Sequence, residues 1–320
     1  MPTLFLSKNQ VLPLLDMKEI VDVVEKAFGS WARGKVTMPP KSYLTLSKGD
    51  FRAMPAAIPG AAGVKWVNVH PGNPVQGLPT VMAVIIYSDP ETGYPLAVMD
   101  GTEITNYRTG AASAVASKYM ARPDSRVLGL VGAGRQAYTQ LMAHNTLWDF
   151  NLIKVYDIQP AAVNRLIQAF PLLHIEARTL EDTLNSDIIC TTTPAREPVV
   201  KKQWILPGAH INAVGADAPG KQELEPAILQ SARVVVDDMK QATSSGEVNV
   251  ALTKGLLNPS SIYGTLGELV AGMKPGRQDR NEVTVFDATG LAFEDIACAS
   301  LVYQKVKDNP GSVWLDFVGA

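Results

Sequence analysis

The chain has 320 residues, of which 46% are hydrophobic and 19% are charged, and its formal net charge is −2 at pH 7. This is the composition of an ordinary globular protein, long enough to form two domains. The small net charge gives no electrostatic surface for nucleic acid, and the longest apolar run, Val81–Tyr87, is too short to cross a membrane.

The cysteines and histidines predict neither a disulfide framework nor a metal site. Cys190 and Cys298 are far apart in the sequence, which fits a reducing cytoplasm, and we expect both to be small buried side chains. The four histidines show no metal-ligand spacing. We therefore expect a cytoplasmic protein without a metal.

The N-terminal third predicts a helix followed by a mainly antiparallel sheet. Residues 3–6 indicate a short strand, and Asp16 begins an amphipathic helix that ends near Gly34. Short β-like runs then alternate with Pro, Gly and Asn turns over residues 43–46, 51–54, 63–68, 80–87 and 95–100. Four basic side chains are on these strands or at their ends, namely Lys41, Arg52, Lys65 and His70. A helix rich in small residues follows over residues 106–120.

Residues 121–290 alternate between strand and helix patterns, which is typical of a parallel, doubly wound sheet. The predicted strands are 127–131, 153–157, 173–177, 187–192, 210–214, 233–237 and 283–286. A final helix over 291–307 and a strand over 312–318 predict a return of the chain to the first domain. The fold class is therefore α/β, with a Rossmann-type domain at 121–290 and a second α+β domain formed by 1–120 and 291–320.

A glycine-rich turn connects the first strand of the predicted Rossmann domain to a helix. The pattern is Gly132-x-Gly134-x-x-Ala137, in which the glycines allow a tight turn and close approach to a pyrophosphate, and the small third residue allows close packing. Asp157 ends the next strand, where a carboxylate accepts hydrogen bonds from a ribose 2′-hydroxyl and repels a 2′-phosphate. The motif predicts NAD rather than NADP, although a purely structural turn has the same sequence.

Polar residues follow two later strands of the same domain. Thr191–Thr193 follows one strand, and Asp217 lies in the Gly215–Gly220 turn after the next. Ligands of such sheets bind beyond the carboxyl ends of the strands. For the threonines, simple turn capping and cofactor contact remain equally open, and for Asp217 an Asx-turn is the competing interpretation.

Three basic residues outside these turns suit a small amino or keto acid. Arg52 and Arg108 offer guanidinium groups for a carboxylate, and Lys65 lies between apolar neighbours. A partly desolvated lysine has a lowered pKa and can act as an acid or base near neutral pH. The alternative for each is a solvated charge with a packed stem.

Several longer segments resemble the ornithine cyclodeaminase/mu-crystallin family, and the likeness covers nearly the whole chain in order. The segments are Met38–Lys41, Lys48–Pro55, Gly63–Pro74, Gly77–Ala83, Arg108–Ala112, Gly215–Leu224 and Phe286–Ala292. Within the family, the likeness is greatest to the NAD-dependent alanine dehydrogenase branch. Lys41 stands where the cyclodeaminase branch usually has arginine, which also favours this branch.

The resemblance implies a homodimer joined through the antiparallel sheets, and it implies roles for particular residues. Lys65 would be the catalytic acid/base and Asp217 a second catalytic or water-orienting group. Arg52, Lys65 and Arg108 would hold the substrate. The implied cofactor residues are Arg108, Thr109, Gly132, Gly134, Gln136, Ala137, Asp157, Thr192, Gly215, Asp217 and Leu291.

The implied reaction is reversible, NAD-dependent oxidative deamination of L-alanine to pyruvate and ammonia through an imine. One alternative is cyclodeamination of ornithine to proline and ammonia, and reduction of a cyclic ketimine is a variant of it. The other alternative is a non-catalytic binder of a small ligand, as in the mu-crystallin branch. The expected partners are thus a small amino or keto acid and a second copy of the chain, with no nucleic acid and no membrane.

Overall fold

A computed structural model describes residues 2–309, 311–316 and 319. The chain divides into two compact units, one formed by Met1–Arg108 with Leu291–Ala320 and the other by Thr109–Gly290. Both are mixed α/β units with one large sheet each. Of the predicted C-terminal strand, residues 313–315 form a strand, and residues 317 and 318 lie outside the described part.

Fifteen strands lie within the described ranges. They are β1 (Thr3–Leu6), β2 (Ser42–Leu46), β3 (Gly49–Ile58), β4 (Ala61–Val69), β5 (Val81–Ser88), β6 (Pro95–Asp100), β7 (Val127–Val131), β8 (Leu152–Tyr156), β9 (Ile175–Ala177), β10 (Ile188–Thr191), β11 (His210–Ala213), β12 (Arg233–Val236), β13 (Ile262–Thr265), β14 (Thr284–Asp287) and β15 (Val313–Leu315).

Eleven α-helices lie within the same ranges. They are α1 (Lys8–Val11), α2 (Met17–Ala32), α3 (Thr102–Met120), α4 (Arg135–His144), α5 (Pro160–Ala169), α6 (Leu180–Leu184), α7 (Pro226–Leu229), α8 (Met239–Ser245), α9 (Val248–Thr253), α10 (Leu266–Val270) and α11 (Ala292–Val306). Among the described residues, no helix combines the length and apolar character needed to cross a bilayer.

The first unit contains a seven-stranded sheet in the order β15-β1-β6-β5-β4-β3-β2, which is antiparallel except between β1 and β6. One face packs against α11, and α11 packs in turn against α2, where Phe28 and Phe293 meet edge to face at 5.1 Å. Because side chains alternate along a strand, Lys65 of β4 faces the buried side and its neighbour Trp66 faces outward.

The outward side of this sheet carries large apolar side chains that are each more than two-fifths exposed. This apolar sheet face comprises Leu44, Leu46, Trp66, Val84 and Ile86. The register places Trp66 directly opposite Val84, and Val64 opposite Ile86, so the residues of β4 and β5 form one continuous surface. A contiguous apolar surface of this kind indicates an interaction site.

The second unit contains an eight-stranded, wholly parallel sheet in the order β13-β12-β14-β11-β10-β7-β8-β9. β8 lies on one side of β7 and β10 on the other, so the order of the chain reverses at β7. This topological switch point is where ligands bind in sheets of this type. The predicted α/β class, with a Rossmann-type sheet and a second sheet, is confirmed.

The structure differs from the predicted elements mainly at their ends. β3 extends to ten residues, and α3 begins four residues before the predicted start, after Asp100 accepts a bond from the Glu103 amide at 3.0 Å. The sequence predicts no strand at β13, because its four residues include a glycine and β13 lies at the edge of the sheet.

Candidate functional site

The glycine-rich turn follows β7 and leads directly into α4. Gly132 has φ +96°, and a Cβ there would lie 2.8 Å from the Thr192 hydroxyl oxygen, so only glycine fits. Gly134 is the N-cap of α4, and a Cβ built on it would meet nothing within 4 Å. The turn therefore leaves open space in front of a ten-residue helix, as a pyrophosphate cradle requires.

Asp157 lies beside this turn. One carboxylate oxygen accepts a hydrogen bond from the Ala133 amide at 2.7 Å, and the other accepts from the Gln159 amide at 2.8 Å. These bonds fix the carboxylate at the end of β8, next to the switch point. Each oxygen retains a second lone pair that can accept from a hydroxyl group.

A buried carboxylate, Glu223, connects the turns after β10 and β11. It accepts hydrogen bonds from the Thr191 hydroxyl at 2.7 Å, from the Thr193 amide at 2.7 Å and from the Gly215 amide at 2.8 Å. A Cβ on Gly215 would lie 2.1 Å from the Thr193 carbonyl oxygen, so these two turns touch. Thr191 thus has a structural partner, whereas Thr192 lies against Gly132.

Asp217 lies two residues beyond Gly215, and its carboxylate is paired with Lys221 at 2.5 Å. About a third of the Asp217 side chain is exposed, so part of it is open to solvent. Gln136 is in the first turn of α4, and the buried Ala137 is one residue further along. Thr109 is buried, and its carbonyl oxygen accepts from Gln140 of α4 at 3.5 Å.

Further carboxylates are buried near the ends of β12 and β14. Asp237 accepts from the amides of Thr289 at 2.6 Å and Gly290 at 2.7 Å, the two residues that precede Leu291. Asp287 accepts from the Val248 amide at 3.1 Å. Burial and the nearby Asp237 charge raise the pKa of Asp287 to about 8. Leu291 is itself buried and is the N-cap of α11.

Two of the four histidines meet in a buried polar network of the second unit. The ring of His144 lies 2.8 Å from the Ser117 hydroxyl, which accepts from Asn212 at 2.9 Å, and Asn212 lies 3.2 Å from His210. Burial lowers the pKa of His144 to about 4 and that of His210 to about 3. Neutral, hydrogen-bonded rings indicate a structural role, and the described residues contain no cluster suited to a metal ion.

Lys65 is the most unusual basic residue of the first unit, because its side chain is only 1% exposed. Its ammonium nitrogen lies 2.6 Å from Asp295 of α11 and 3.2 Å from the Thr105 hydroxyl of α3. The pKa of Lys65 is lowered to about 7, mainly by burial and with contributions from the Arg108 and Lys41 charges, against the opposing effect of the Asp295 charge. The residue can therefore give or take a proton near neutral pH.

Arg108 is buried beside this pair. Its Nε lies 3.1 Å from Asp295, and its Nη1 lies 3.2 Å from Glu294. Burial alone would lower the pKa of Arg108, but the two carboxylates raise it above its usual value. Lys65 and Arg108, predicted separately from the sequence, are thus joined through Asp295.

Arg52 lies on the same buried face of the sheet. The register pairs Arg52 with Val67 and Met54 with Lys65, so Arg52 and Lys65 are diagonal neighbours on adjacent strands. Its guanidinium contacts both oxygens of Asp50, at 2.7 and 3.3 Å. This two-pronged contact is the geometry with which arginine binds a free carboxylate.

Sequence reasoning did not identify Asp295, Glu294, Thr105, Asp50 or Glu223. Glu294 and Asp295 are adjacent acids in the first turn of α11, a position that acids favour through the helix dipole, so the sequence alone does not mark them as partners of buried cations. The sequence gives no signal for Glu223 either.

Comparisons with known proteins agree on one family. The profile of the ornithine cyclodeaminase/mu-crystallin family matches residues 1–310. An alanine dehydrogenase of Archaeoglobus fulgidus is 49% identical over 315 residues, 98% of each chain.

Two solved structures are also similar over nearly their whole length. One, described as an archaeal alanine dehydrogenase dimer with bound NAD, is 47% identical, covers 99% of this chain and 100% of its own, and superposes with a TM-score of 0.97. The other is the Delta(1)-pyrroline-2-carboxylate reductase of Thermococcus litoralis in complex with NADH and L-proline. It is 36% identical, with 97% and 99% of the two chains covered and a TM-score of 0.93.

Proposed function

The chain belongs to the ornithine cyclodeaminase/mu-crystallin family, and from this premise we propose that it is an NAD-dependent enzyme that interconverts L-alanine with pyruvate and ammonia. The observation that carries the proposal is Lys65, a buried lysine whose pKa is lowered to about 7. Its environment suits proton transfer, and it shares a buried face with a guanidinium suited to a carboxylate.

The glycine-rich turn and its neighbours fit NAD. The open space at Gly134, the helix N-terminus of α4 and the carboxylate of Asp157 correspond to the pyrophosphate and ribose contacts of this cofactor. Gly132, Gln136 and Ala137 would approach the phosphates, with Arg108 and Thr109, while Thr192, Gly215, Asp217 and Leu291 would line the nicotinamide half. When bound, NAD supplies the acceptor for a hydride from the substrate Cα.

The residues of the first unit would then handle the substrate's charges and protons. Arg52 binds the substrate carboxylate, and Lys65 also contributes a hydrogen bond to it. Neutral Lys65 removes a proton from the substrate amine, which allows the imine to form, and it later assists addition of water to the imine carbon. Asp217 orients that water. Pyruvate and ammonia are the products, and the reverse sequence aminates pyruvate.

The second partner we propose is another copy of the chain. The apolar sheet face is a surface that an isolated subunit would expose at a cost in free energy. The similar archaeal alanine dehydrogenase that was solved with bound NAD is described as a dimer, which supports this assignment. Pairing of the two sheet faces would remove Trp66 and Val84 from water.

The first experiment follows NADH absorbance with pyruvate and ammonia, beside a reaction with ornithine and catalytic NAD in which ammonia is assayed. We expect NADH loss that depends on both pyruvate and ammonia. Ammonia release from ornithine without net NADH change would replace the proposal with cyclodeamination. If neither reaction gives a product while the protein still binds NADH, a binding role would be favoured.

A Lys65→Met variant tests the residue assignment in the same assay. We expect turnover to fall by about 10³-fold or more, while the dissociation constant of NADH stays within about twofold. Lys35→Met, at an exposed lysine, is the matched control and should keep full activity. Joint loss of turnover and NADH binding would indicate misfolding and would not support the role of Lys65.

A second candidate is reduction of a cyclic imine, favoured by the relative that was solved with NADH and L-proline. The proton and carboxylate chemistry is the same, and only the side-chain pocket differs. Delta(1)-pyrroline-2-carboxylate should therefore be assayed beside pyruvate. A kcat/KM at least tenfold higher for the cyclic imine would transfer the assignment to that reaction.

A further inference from the structure

We propose that Asp295 is a positioning residue that aims and tunes Lys65, an inference that rests on the proposed role of Lys65 in proton transfer. The carboxylate contacts the ammonium of Lys65 through one oxygen and Arg108 through the other. Its side chain is fully buried, and it lies in the first turn of α11.

Two contacts hold the Lys65 ammonium group. Its nitrogen forms an ion pair with Asp295 at 2.6 Å, and one of its N–H groups donates to the Thr105 hydroxyl at 3.2 Å, which in turn donates to the Gly101 carbonyl at 2.7 Å. The ion pair fixes where the nitrogen lies and the hydrogen bond restricts how the group rotates, which is what a proton-transfer group needs toward a substrate amine.

Asp295 is itself held in place by its helix and by Arg108. It lies in the first turn of α11, where the helix dipole favours a negative charge. Glu294 caps the same turn by accepting from the Leu291 amide at 3.0 Å, and its other oxygen contacts Arg108 at 3.2 Å. Arg108 therefore braces both carboxylates, and Asp295 cannot rotate away from Lys65 without losing the Arg108 contact.

The charge of Asp295 also affects the protonation of Lys65. The groups that act electrostatically with Lys65 include Asp295 and Cys298 of α11, Arg108 of α3, and Lys41 just before β2. Arg108 and Lys41 disfavour the charged lysine, as does burial, and Asp295 opposes them. Removing the Asp295 charge should therefore lower the pKa of Lys65 further and leave the amine neutral over more of the pH range.

The experiment measures the protonation of Lys65 directly, without substrate or cofactor. Protein labelled with ¹⁵N,¹³C-lysine is titrated by NMR, and the Lys65 signal is assigned from its absence in Lys65→Met. We expect Asp295→Asn to lower the Lys65 pKa by about one unit or more. Glu294→Gln, which leaves the Lys65–Asp295 contact in place, is the matched control and should change it by less than half as much.

The same variants are then assayed for alanine oxidation across pH. In the wild type, kcat/KM should rise with pH through about 7, since neutral Lys65 is the base. In Asp295→Asn the rise should move to lower pH together with the NMR titration. Asp295→Glu keeps the charge but displaces it, so kcat should fall about tenfold with the pH profile unmoved.

The outcomes separate the two proposals. An unchanged Lys65 titration in folded Asp295→Asn would overturn the inference about Asp295. Where Asp295→Asn does not fold, a wild-type kcat in Asp295→Glu would overturn it instead. If the wild-type protein neither oxidises alanine nor forms proline, the proposed function is refuted. The NMR titration would still report on the Asp295–Lys65 pair.

Discussion

The carboxylate of Glu223 connects two turns that carry proposed cofactor residues, and its removal should have a measurable cost. Glu223→Ala removes the carboxylate that accepts from the partly buried amides of Thr193 and Gly215. A buried donor left unsatisfied costs about 1–3 kcal/mol, and partial burial places these two near the lower end, so we expect the free energy of unfolding to fall by about 2 kcal/mol. The third bond, from the Thr191 hydroxyl, is left out of this estimate because a hydroxyl group can rotate to another acceptor.

Unfolding in guanidinium, followed by tryptophan fluorescence, measures this loss at constant m-value. Because the turns also carry Thr192 and Gly215, the dissociation constant of NADH should rise about tenfold in a parallel fluorescence titration. Glu225→Gln is the matched control, since Glu225 accepts a bond from the Lys202 amide at an exposed position, and it should cost under about 0.5 kcal/mol. A loss below about 1 kcal/mol in Glu223→Ala, with NADH binding unchanged, would refute the reasoning.

Three further perturbations address assembly, pH and cofactor choice. Val84→Arg, in the apolar sheet face, should convert the proposed dimer to monomers in multi-angle light scattering. Leu172→Arg, at a residue that is 96% exposed in the other unit, should leave the mass unchanged, and a dimeric Val84→Arg would remove this face from the interface. The pKa of Asp287 is raised from 3.8 to about 8, so the neutral carboxyl contributes stability that is full below pH 4 and is lost as pH rises toward 8. In urea unfolding, Asp287→Asn should therefore lose less stability than the wild type between pH 5 and 8. Parallel pH profiles of the two proteins would contradict the assignment. Asp157→Ser should lower the ratio of kcat/KM for NADH over NADPH by about tenfold, and an unchanged ratio would show that Asp157 does not set the preference.

Local patterns explain which parts could be predicted from the sequence. The β7–turn–α4 segment was predictable because a buried strand, a turn that needs glycine at Gly132 and a helix start are all encoded within a few residues. The pattern around Lys65 fitted either a desolvated lysine or a solvated charge with a packed stem; the side chain is buried, while its catalytic role rests on the family resemblance and stays a prediction. The parallel sheet followed from the strand–helix alternation.

The partners of these residues were not predictable in the same way. Arg108 and Asp295 are 187 residues apart, and no local rule connects an acid on α11 with a base on α3. Asp295 is indistinguishable in sequence from an acid that merely favours the start of a helix. Glu223 is similar, since its three donors, Thr191, Thr193 and Gly215, come from the ends of two different strands and the turns after them. Side-chain pairs of this kind can be predicted only once the topology of the fold is known.

Strand β4 presents Lys65 to the interior and Trp66 to the outside, with consecutive residues serving different surfaces. A one-residue deletion near its start, between Ala61 and Val64, would shift this pattern by one position and exchange the two sides. The lysine would reach solvent, and the indole would enter a site that is lined by carboxylates. A length change within β4 would therefore disturb the lysine site and the apolar sheet face together, so natural variation within the strand should consist of substitutions, with insertions and deletions confined to the connections outside it.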